Sequence, residues 1–215
     1  MRIACFLHQG KRQVGALSAD GQQLTPFAVD ASRGAQALIE IAASGAALPP
    51  AAGPAIALTA VTLEAPLPSP RRNLWCVGRN YHAHAKELRE TVFKDNVADV
   101  QGWPIVFTKV PETVIGPGAD VHLPGAAISA QIDYEAELTV IIGKGGKNIA
   151  RANALQHVFG YTIINDVSAR DFQFHTTQWS AGKVGDTLAP VGPYIADRTE
   201  IPDPHVLDLK AWVNG

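Results

Sequence analysis

Residues 132–144 read IDYEAELTVIIGK, and this run of apolar and β-branched residues predicts a β-strand. Side chains two positions apart in a strand point to the same face, so Glu135 and Glu137 share one face, while Ala136 and Leu138 share the other. Two neighbouring carboxylates repel each other, and a divalent cation relieves that repulsion. Oxygen ligands favour Mg²⁺, Mn²⁺ or Ca²⁺ over zinc. The alternative is that both glutamates lie on the solvent face of an edge strand.

A third carboxylate follows a second strand-like run. Residues 158–166 read VFGYTIIND, so Asp166 comes at the end of an apolar strand, a position where functional groups gather. This aspartate can complete the protein part of an all-oxygen site. We therefore predict a metal site that consists of Glu135, Glu137 and Asp166.

A possible general base lies nearer the N-terminus, in residues 78–90, GRNYHAHAKELRE. The pattern predicts a strand that leads into a helix over residues 82–91. His84 and Glu87 are three positions apart and therefore share a helix face. A carboxylate that binds an imidazole fixes its tautomer and raises its basicity, as a general base requires. The alternative is a solvent-exposed helix with ordinary polar residues.

Polar side chains are dense in residues 165–190, immediately after the predicted metal aspartate. They are Arg170, Asp171, Gln173, His175, Gln178, Lys183 and Asp186. Gln173 can donate a hydrogen bond to a substrate oxygen, and Lys183 can bring a positive charge to a developing enolate. Arg170 and Asp171 are predicted to form a structural ion pair. The alternative is a solvated loop whose glycines only permit turns.

The whole chain is predicted to be mainly β with inserted helices, an α+β protein. Residues 1–27 alternate short apolar runs with turn clusters, which predicts a small antiparallel β unit. Residues 32–47 predict a helix with a capping serine at its start. Further strand-like runs are NLWCVG, PIVFTKV and VLDLKAWVN. We predict a small N-terminal α+β domain over residues 1–65 and a catalytic domain over residues 66–215.

The composition excludes several classes of function. Hydrophobic residues make up 47% of the chain and charged residues 18%, and the formal net charge of −2 argues against a nucleic-acid-binding protein. The sequence has neither a signal-peptide pattern nor an apolar run of membrane-spanning length, so we expect no membrane association and a cytoplasmic location. Cys5 and Cys76 lack a CxxC spacing and are expected to be buried, reduced thiols.

Six blocks resemble, in order and spacing, the catalytic domain of the fumarylacetoacetate hydrolase family, and they cover residues 73–215. The blocks are CVGRNYHAHAKEL, PIVFTKVPETVIGPG, IDYEAELTVIIGK, IINDVSARDFQ, WSAGKVGDTLAPVGPYI and IPDPHVLDLKAWVNG. The resemblance implies a mixed β-roll catalytic domain and a homodimer. It also implies that Glu135, Glu137 and Asp166 bind Mg²⁺, Mn²⁺ or Ca²⁺.

The resemblance further implies roles for individual side chains around a small-molecule substrate. His84 and Glu87 match the histidine and glutamate that form the family's general-base dyad on a lid-like segment. Gln173 and Lys183 match the family's substrate-contacting glutamine and lysine. Lys109 is either a substrate clamp or an ordinary strand lysine. The predicted catalytic residues are His84, Glu87 and Lys183, and the predicted substrate-binding residues are Arg79, Tyr81, Lys109 and Gln173.

The activity that this resemblance implies is metal-dependent hydrolysis of a carbon–carbon bond in a small 2-oxo acid, such as an acylpyruvate or fumarylpyruvate. The alternatives are an oxaloacetate-type decarboxylase or an isomerase of hydroxymuconate-type diacids in aromatic catabolism. Ureidoglycolate lyase and a non-catalytic metabolite binder are more distant alternatives. Family members continue into a TGTPxG block, and Asn214-Gly215 is a strong hairpin signal, so we expect the natural protein to extend beyond Gly215.

Overall fold

Most of the regular structure is β-strand, which confirms the mainly β prediction. The computed structural model describes residues 1–81 and 104–215. The strands are β1 (Arg2–His8), β2 (Lys11–Leu17), β3 (Gln23–Pro26), β4 (Ile56–Ala57), β5 (Thr62–Glu64), β6 (Leu74–Gly78), β7 (Ile105–Lys109), β8 (Val114–Ile115), β9 (Ile132–Asp133), β10 (Ala136–Ile142), β11 (Val158–Asn165), β12 (Ser168–Ala169) and β13 (Ala189–Asp197). The α-helices of the described residues are α1 (Gln36–Ala43) and α2 (Arg170–His175).

One mixed sheet organises the described residues. Its strand order is β10-β11-β13-β1-β2-β3-β4, with β5 paired to β1 and β8 paired to β13. The β8–β13 pair is parallel, and the other pairs are antiparallel. Two separate two-stranded sheets, β9–β12 and β6–β7, lie outside this sheet. The strands that carry the predicted carboxylates are therefore neighbours at one end of the large sheet.

The sheet continues across the predicted boundary between residues 65 and 66. β1 pairs with β13 through Arg2↔Ala196 and Ile3↔Ile195. One core cluster likewise joins the two parts of the chain; it contains Ile3, Cys5, Val14, Phe27, Ala35, Leu38, Ile39, Phe159 and Ile195. Cys5 and Cys76 are both buried free thiols, as predicted. The division into two domains stays a prediction.

The helix predicted over residues 32–47 is shorter in the structure, and its predicted cap is wrong. Ser32 instead binds Asp30 through its backbone N–H (2.8 Å) and its hydroxyl (3.0 Å). Gly34 has a φ of +62°, and a Cβ there would lie 2.3 Å from the carbonyl oxygen of Pro66. Because a residue in this left-handed region does not continue a right-handed helix, α1 begins only after it.

The strand predicted from VLDLKAWVN is absent. Residues 204–206 form a short 3₁₀ turn, and residues 207–215 are not in any strand of the described chain. A strand needs a partner for its backbone hydrogen bonds, and no described segment pairs with these residues. Asn214 and Gly215 do have positive φ values of 57° and 81°, as a type I′ turn requires. No helix in residues 1–81 or 104–215 is long and apolar enough to span a membrane.

Candidate metal centre

Three carboxylates come together where β10 begins and β11 ends. Glu135 immediately precedes β10, Glu137 lies within it, and Asp166 immediately follows β11. One carboxylate oxygen from each lies within 4.8 Å of the others. The antiparallel pair Glu137↔Ile164 sets this arrangement, and the Asp166 N–H donates to the Glu135 carbonyl at 2.8 Å. The three residues can therefore hold a metal ion, and they are not scattered along a solvent face.

Backbone and side-chain hydrogen bonds hold Glu135 and Asp166 in place. The Glu135 N–H donates to Asn165 Oδ1 at 3.0 Å. The Ser168 hydroxyl donates to the Asp166 carbonyl oxygen at 2.8 Å and lies 3.1 Å from Glu135 Oε2. Ser168 stands opposite Asp133 in the β9–β12 pair. Glu135 and Asp166 are thus held from several directions before any ligand binds.

Two buried lysines neutralise part of the negative charge. Lys109 Nζ donates to Asp166 Oδ1 at 2.7 Å and to the Val167 carbonyl at 3.0 Å. Lys183 Nζ donates to Asp166 Oδ2 at 3.0 Å and also contacts Glu135 Oε2. The side chains of Lys109 and Lys183 are 0% and 2% exposed. Both oxygens of Asp166, which is itself fully buried, therefore have a cationic partner.

Glu137 is the carboxylate whose charge is least compensated. Among residues 1–81 and 104–215 it forms no ion pair. Burial and the charges of Asp166 and Glu135 raise its pKa to about 7, against the opposing effect of Lys183 and Lys109. Burial also acts to raise the pKa of Glu135, but Lys183 and Arg170 outweigh it and bring that pKa below its ordinary value. The surplus of negative charge fits a divalent cation.

Arg170 connects the carboxylates to Gln173. Its guanidinium donates from Nη2 to Asp133 Oδ2 (2.7 Å) and Glu135 Oε1 (2.9 Å), and from Nη1 to Gln173 Oε1 (2.8 Å). The predicted Arg170–Asp171 ion pair is wrong, because adjacent residues at the start of α2 face different directions. Asp171 instead accepts a hydrogen bond from the Ser129 hydroxyl at 2.7 Å.

Sequence reasoning missed Asp133 and Ser168 as members of the site. Asp133 had a usable signal, because it lies two positions before Glu135 and continues the same alternation that joins Glu135 to Glu137. Ser168 had no usable signal, because its contact with Glu135 depends on the pairing of β9 with β12, which no local pattern predicts.

A pocket opens next to the carboxylates and gathers most of the predicted site residues. Its wall includes Arg79, Tyr81, Glu135, Glu137, Gln173 and Lys183. The Tyr81 hydroxyl accepts a hydrogen bond from the Leu138 N–H at 3.0 Å. This bond holds the Tyr81 side chain against β10. Gly78 faces Trp179 so closely that a Cβ would lie 2.6 Å from the indole ring. The pocket is therefore shaped by a close backbone-to-ring contact beside the charged groups.

Among the described residues, two predicted site residues, Lys109 and Asp166, do not line this wall. The Lys109 ammonium contacts the Asp166 carboxylate, and Lys109 does not line the pocket of the described chain. His84 and Glu87, the predicted general base, lie outside the described residues, as does the helix predicted over residues 82–91.

A family model described as "Fumarylacetoacetate (FAA) hydrolase C-terminal" matches residues 73–215. The chain belongs to the fumarylacetoacetate hydrolase family. Among curated members, the oxaloacetate tautomerase YisK of Bacillus subtilis (strain 168) is 43% identical over 158 residues, which are 74% of this chain and 50% of YisK. The chain spans about half the length of the curated family members that it matches.

Solved structures of the family share the fold. Fumarylacetoacetate hydrolase from psychrophilic Exiguobacterium antarcticum matches with a TM-score of 0.71 and 34% identity, over 93% of this chain and 67% of that chain. Maleylpyruvate hydrolase from Sphingobium sp. SYK-6, in complex with manganese(II) ion and pyruvate, matches with a TM-score of 0.64 and 27% identity, over 95% of this chain and 70% of that chain. A family neighbour therefore binds a divalent metal ion.

Proposed function

We propose that this chain carries a divalent-cation-dependent active site that interconverts the keto and enol forms of oxaloacetate or a similar 2-oxo diacid. The observation that carries the proposal is the carboxylate triad beside a pocket, with Asp166 buried, Glu135 and Glu137 half-buried, and the charge of Glu137 the least compensated. The name of YisK, oxaloacetate tautomerase, supports the choice of reaction. Carbon–carbon hydrolysis, the main reaction predicted from the sequence, has less support than the isomerase alternative.

The residues present fit a hard divalent cation. Glu135, Glu137 and Asp166 would hold it, and oxygen ligands of this kind suit Mg²⁺ or Mn²⁺. The manganese(II) ion in the Sphingobium hydrolase supports Mn²⁺ as the first ion to test. When bound, the cation supplies a Lewis acid that polarises the 2-oxo group and makes the neighbouring carbon more acidic.

Gln173 is oriented to donate hydrogen bonds to the substrate. An arginine can only donate, so the contact between Arg170 Nη1 and Gln173 Oε1 fixes the amide with its oxygen toward Arg170. The amide nitrogen of Gln173 is then left for the substrate. Lys183 lies on the same wall and adds a positive charge near the developing enolate.

Tautomerisation requires fewer catalytic groups than hydrolysis does. A proton leaves the carbon beside the 2-oxo group and a proton arrives at the oxygen, with no water consumed and no bond between carbon atoms broken. The site therefore needs a proton carrier but no positioned nucleophile. His84 and Glu87 are our proposed proton carriers.

Hydrolysis of an acylpyruvate-like substrate is the second candidate, because the Sphingobium family member is named a maleylpyruvate hydrolase. Decarboxylation of oxaloacetate would use the same site. These reactions differ in their products, so one product analysis separates them.

A homodimer, which the resemblance implied, stays a prediction that light scattering on the purified chain tests.

The experiment follows the ultraviolet absorbance of enol-oxaloacetate with the purified chain and Mn²⁺. We expect the keto–enol interconversion to speed up, to stop with EDTA, and to be lost in Glu137→Gln. Glu112→Gln is the matched control, because Glu112 is an exposed carboxylate away from the pocket. An unchanged rate in EDTA would refute the proposal. Pyruvate and carbon dioxide as products would instead identify a decarboxylase.

A further inference from the structure

Lys109 is a fully buried cation that the proposed reaction does not use. Its Nζ touches Asp166 Oδ1 at 2.7 Å and the Val167 carbonyl at 3.0 Å, and its side chain is 0% exposed. The pocket wall of the described residues includes Lys183 but not Lys109. A substrate in that pocket would contact Lys183. The Asp166 carboxylate lies between the two lysines, because one of its oxygens binds Lys109 and the other binds Lys183. The position of Lys109 therefore calls for another explanation than substrate binding.

The position of Asp166 does not depend on Lys109 alone. Lys183 Nζ holds the other carboxylate oxygen of Asp166 at 3.0 Å. The backbone N–H of Asp166 donates to the Glu135 carbonyl at 2.8 Å. The geometry of the aspartate is thus fixed twice without Lys109, whereas in residues 1–81 and 104–215 the ion pair with Asp166 Oδ1 comes from Lys109 alone.

Charge counting shows what this ammonium contributes. The connected charges are four carboxylates (Glu135, Glu137, Asp166 and Asp133) and three cations (Lys109, Lys183 and Arg170), and when all are ionised they sum to a net charge of −1. Without the Lys109 charge the same group would sum to −2. Buried charge without a partner is strongly unfavourable, and it also attracts a cation more strongly.

We propose that Lys109 is the buried counter-charge of the carboxylate triad, which keeps the cation-free site stable and limits its affinity for a divalent cation. This inference rests on the proposed metal site and extends it to how tightly that site binds. The neutral variant Lys109→Met should lose stability without cation and gain affinity with it. A substrate-binding lysine would change neither quantity in this way.

The first test measures Mn²⁺ affinity by isothermal titration calorimetry at about pH 8, where free carboxylates are ionised. We expect Lys109→Met to bind Mn²⁺ tighter by about tenfold or more, because one repelling charge is gone. Lys147→Met is the matched control, since Lys147 is exposed, and its affinity should stay within about twofold of the wild type. Equal or weaker binding by Lys109→Met would overturn the proposal.

The second test needs neither cation nor turnover. Thermal unfolding in EDTA is compared for the wild type, Lys109→Met, Glu137→Gln and the double variant. Removing the Glu137 charge should raise Tm more in the Lys109→Met background than in the wild type, since the two charges are coupled. An equal rise in both backgrounds would overturn the proposal. If Lys109→Met does not fold without cation, the double variant should fold, and its failure to fold would count equally against the proposal.

The two proposals fail in different ways. A wild-type chain that binds no Mn²⁺ or does not accelerate the tautomerisation refutes the proposed function. The unfolding comparison in EDTA still tests the counter-charge, because it depends only on the buried charges of Lys109 and Glu137.

Discussion

Acidification should weaken cation binding at the triad in a way that Glu137 controls. The pKa of Glu137 is raised to about 7 by burial and by the charges of Asp166 and Glu135. Below this pH the cation-free site holds a proton on Glu137, which a cation must displace before the carboxylate can bind it. The pKa of Glu135 lies below its ordinary value, so Glu135 stays ionised over the same range. Affinity should therefore fall as the pH drops below about 7.

The size of the effect follows from the pKa. The competing proton reduces affinity by a factor of one plus ten to the power of pKa minus pH, which is close to one at about pH 8 and roughly 30 at about pH 5.5. The difference corresponds to about 2 kcal/mol of binding free energy. A carboxylate with an ordinary pKa near 4.5 would reduce the affinity by only about 10% at that pH.

Isothermal titration calorimetry with Mn²⁺ in buffers of different ionisation enthalpy measures both the affinity and the protons released. We expect about one proton released per cation at about pH 5.5 and about 0.1 at about pH 8. The exposed-carboxylate variant Glu112→Gln should follow the wild-type profile. A flat affinity between these pH values, with no proton release at the lower one, would refute the assignment of Glu137 as a buried cation ligand.

Three further predictions concern single side chains. Without cation, Glu137→Gln should raise the free energy of unfolding above that of the wild type by about 3 kcal/mol at about pH 8, as chemical denaturation measures. The reason is that the stability associated with a raised carboxylate pKa is present below about pH 4.5 and lost as pH rises through about 7. Gly78→Ala should reduce kcat/KM by about tenfold while Mn²⁺ affinity stays within about twofold, since its Cβ would displace Trp179; the control is Gly125→Ala, where nothing lies within 4 Å. Arg170→Lys should raise KM for oxaloacetate by about tenfold, because an ammonium lacks the planar fork that binds Asp133, Glu135 and Gln173 together; an unchanged KM in steady-state kinetics would contradict this.

Local patterns in the sequence predicted the strands that carry the carboxylates. The apolar alternation around Glu135 and Glu137 indicated a strand, and both glutamates do contribute to one cluster with Asp166. The same kind of pattern failed at residues 206–214, where no described strand supplies a partner. A β pattern states which face a side chain takes, but the strand itself forms only where another segment completes its hydrogen bonds.

Helix ends and ion pairs were predicted less well for a related reason. Ser32 has the composition of a helix cap, but the left-handed Gly34, pressed against Pro66, moves the start of α1 past it. Arg170 has an acidic neighbour in sequence, yet its guanidinium finds Asp133 across the β9–β12 pair. Both outcomes depend on segments that are distant along the chain.

By itself, the sequence determined the mainly β class, the family and the three carboxylates that can hold a cation, because strand periodicity and ordered motifs are local properties. Only the tertiary structure decided how the charge of that site is balanced. Lys109 comes from a different sheet than Glu137, and nothing in its own neighbours distinguishes a substrate clamp from a buried counter-charge. The difference lies in burial and in the 2.7 Å contact with Asp166, which exist only after the two sheets have packed.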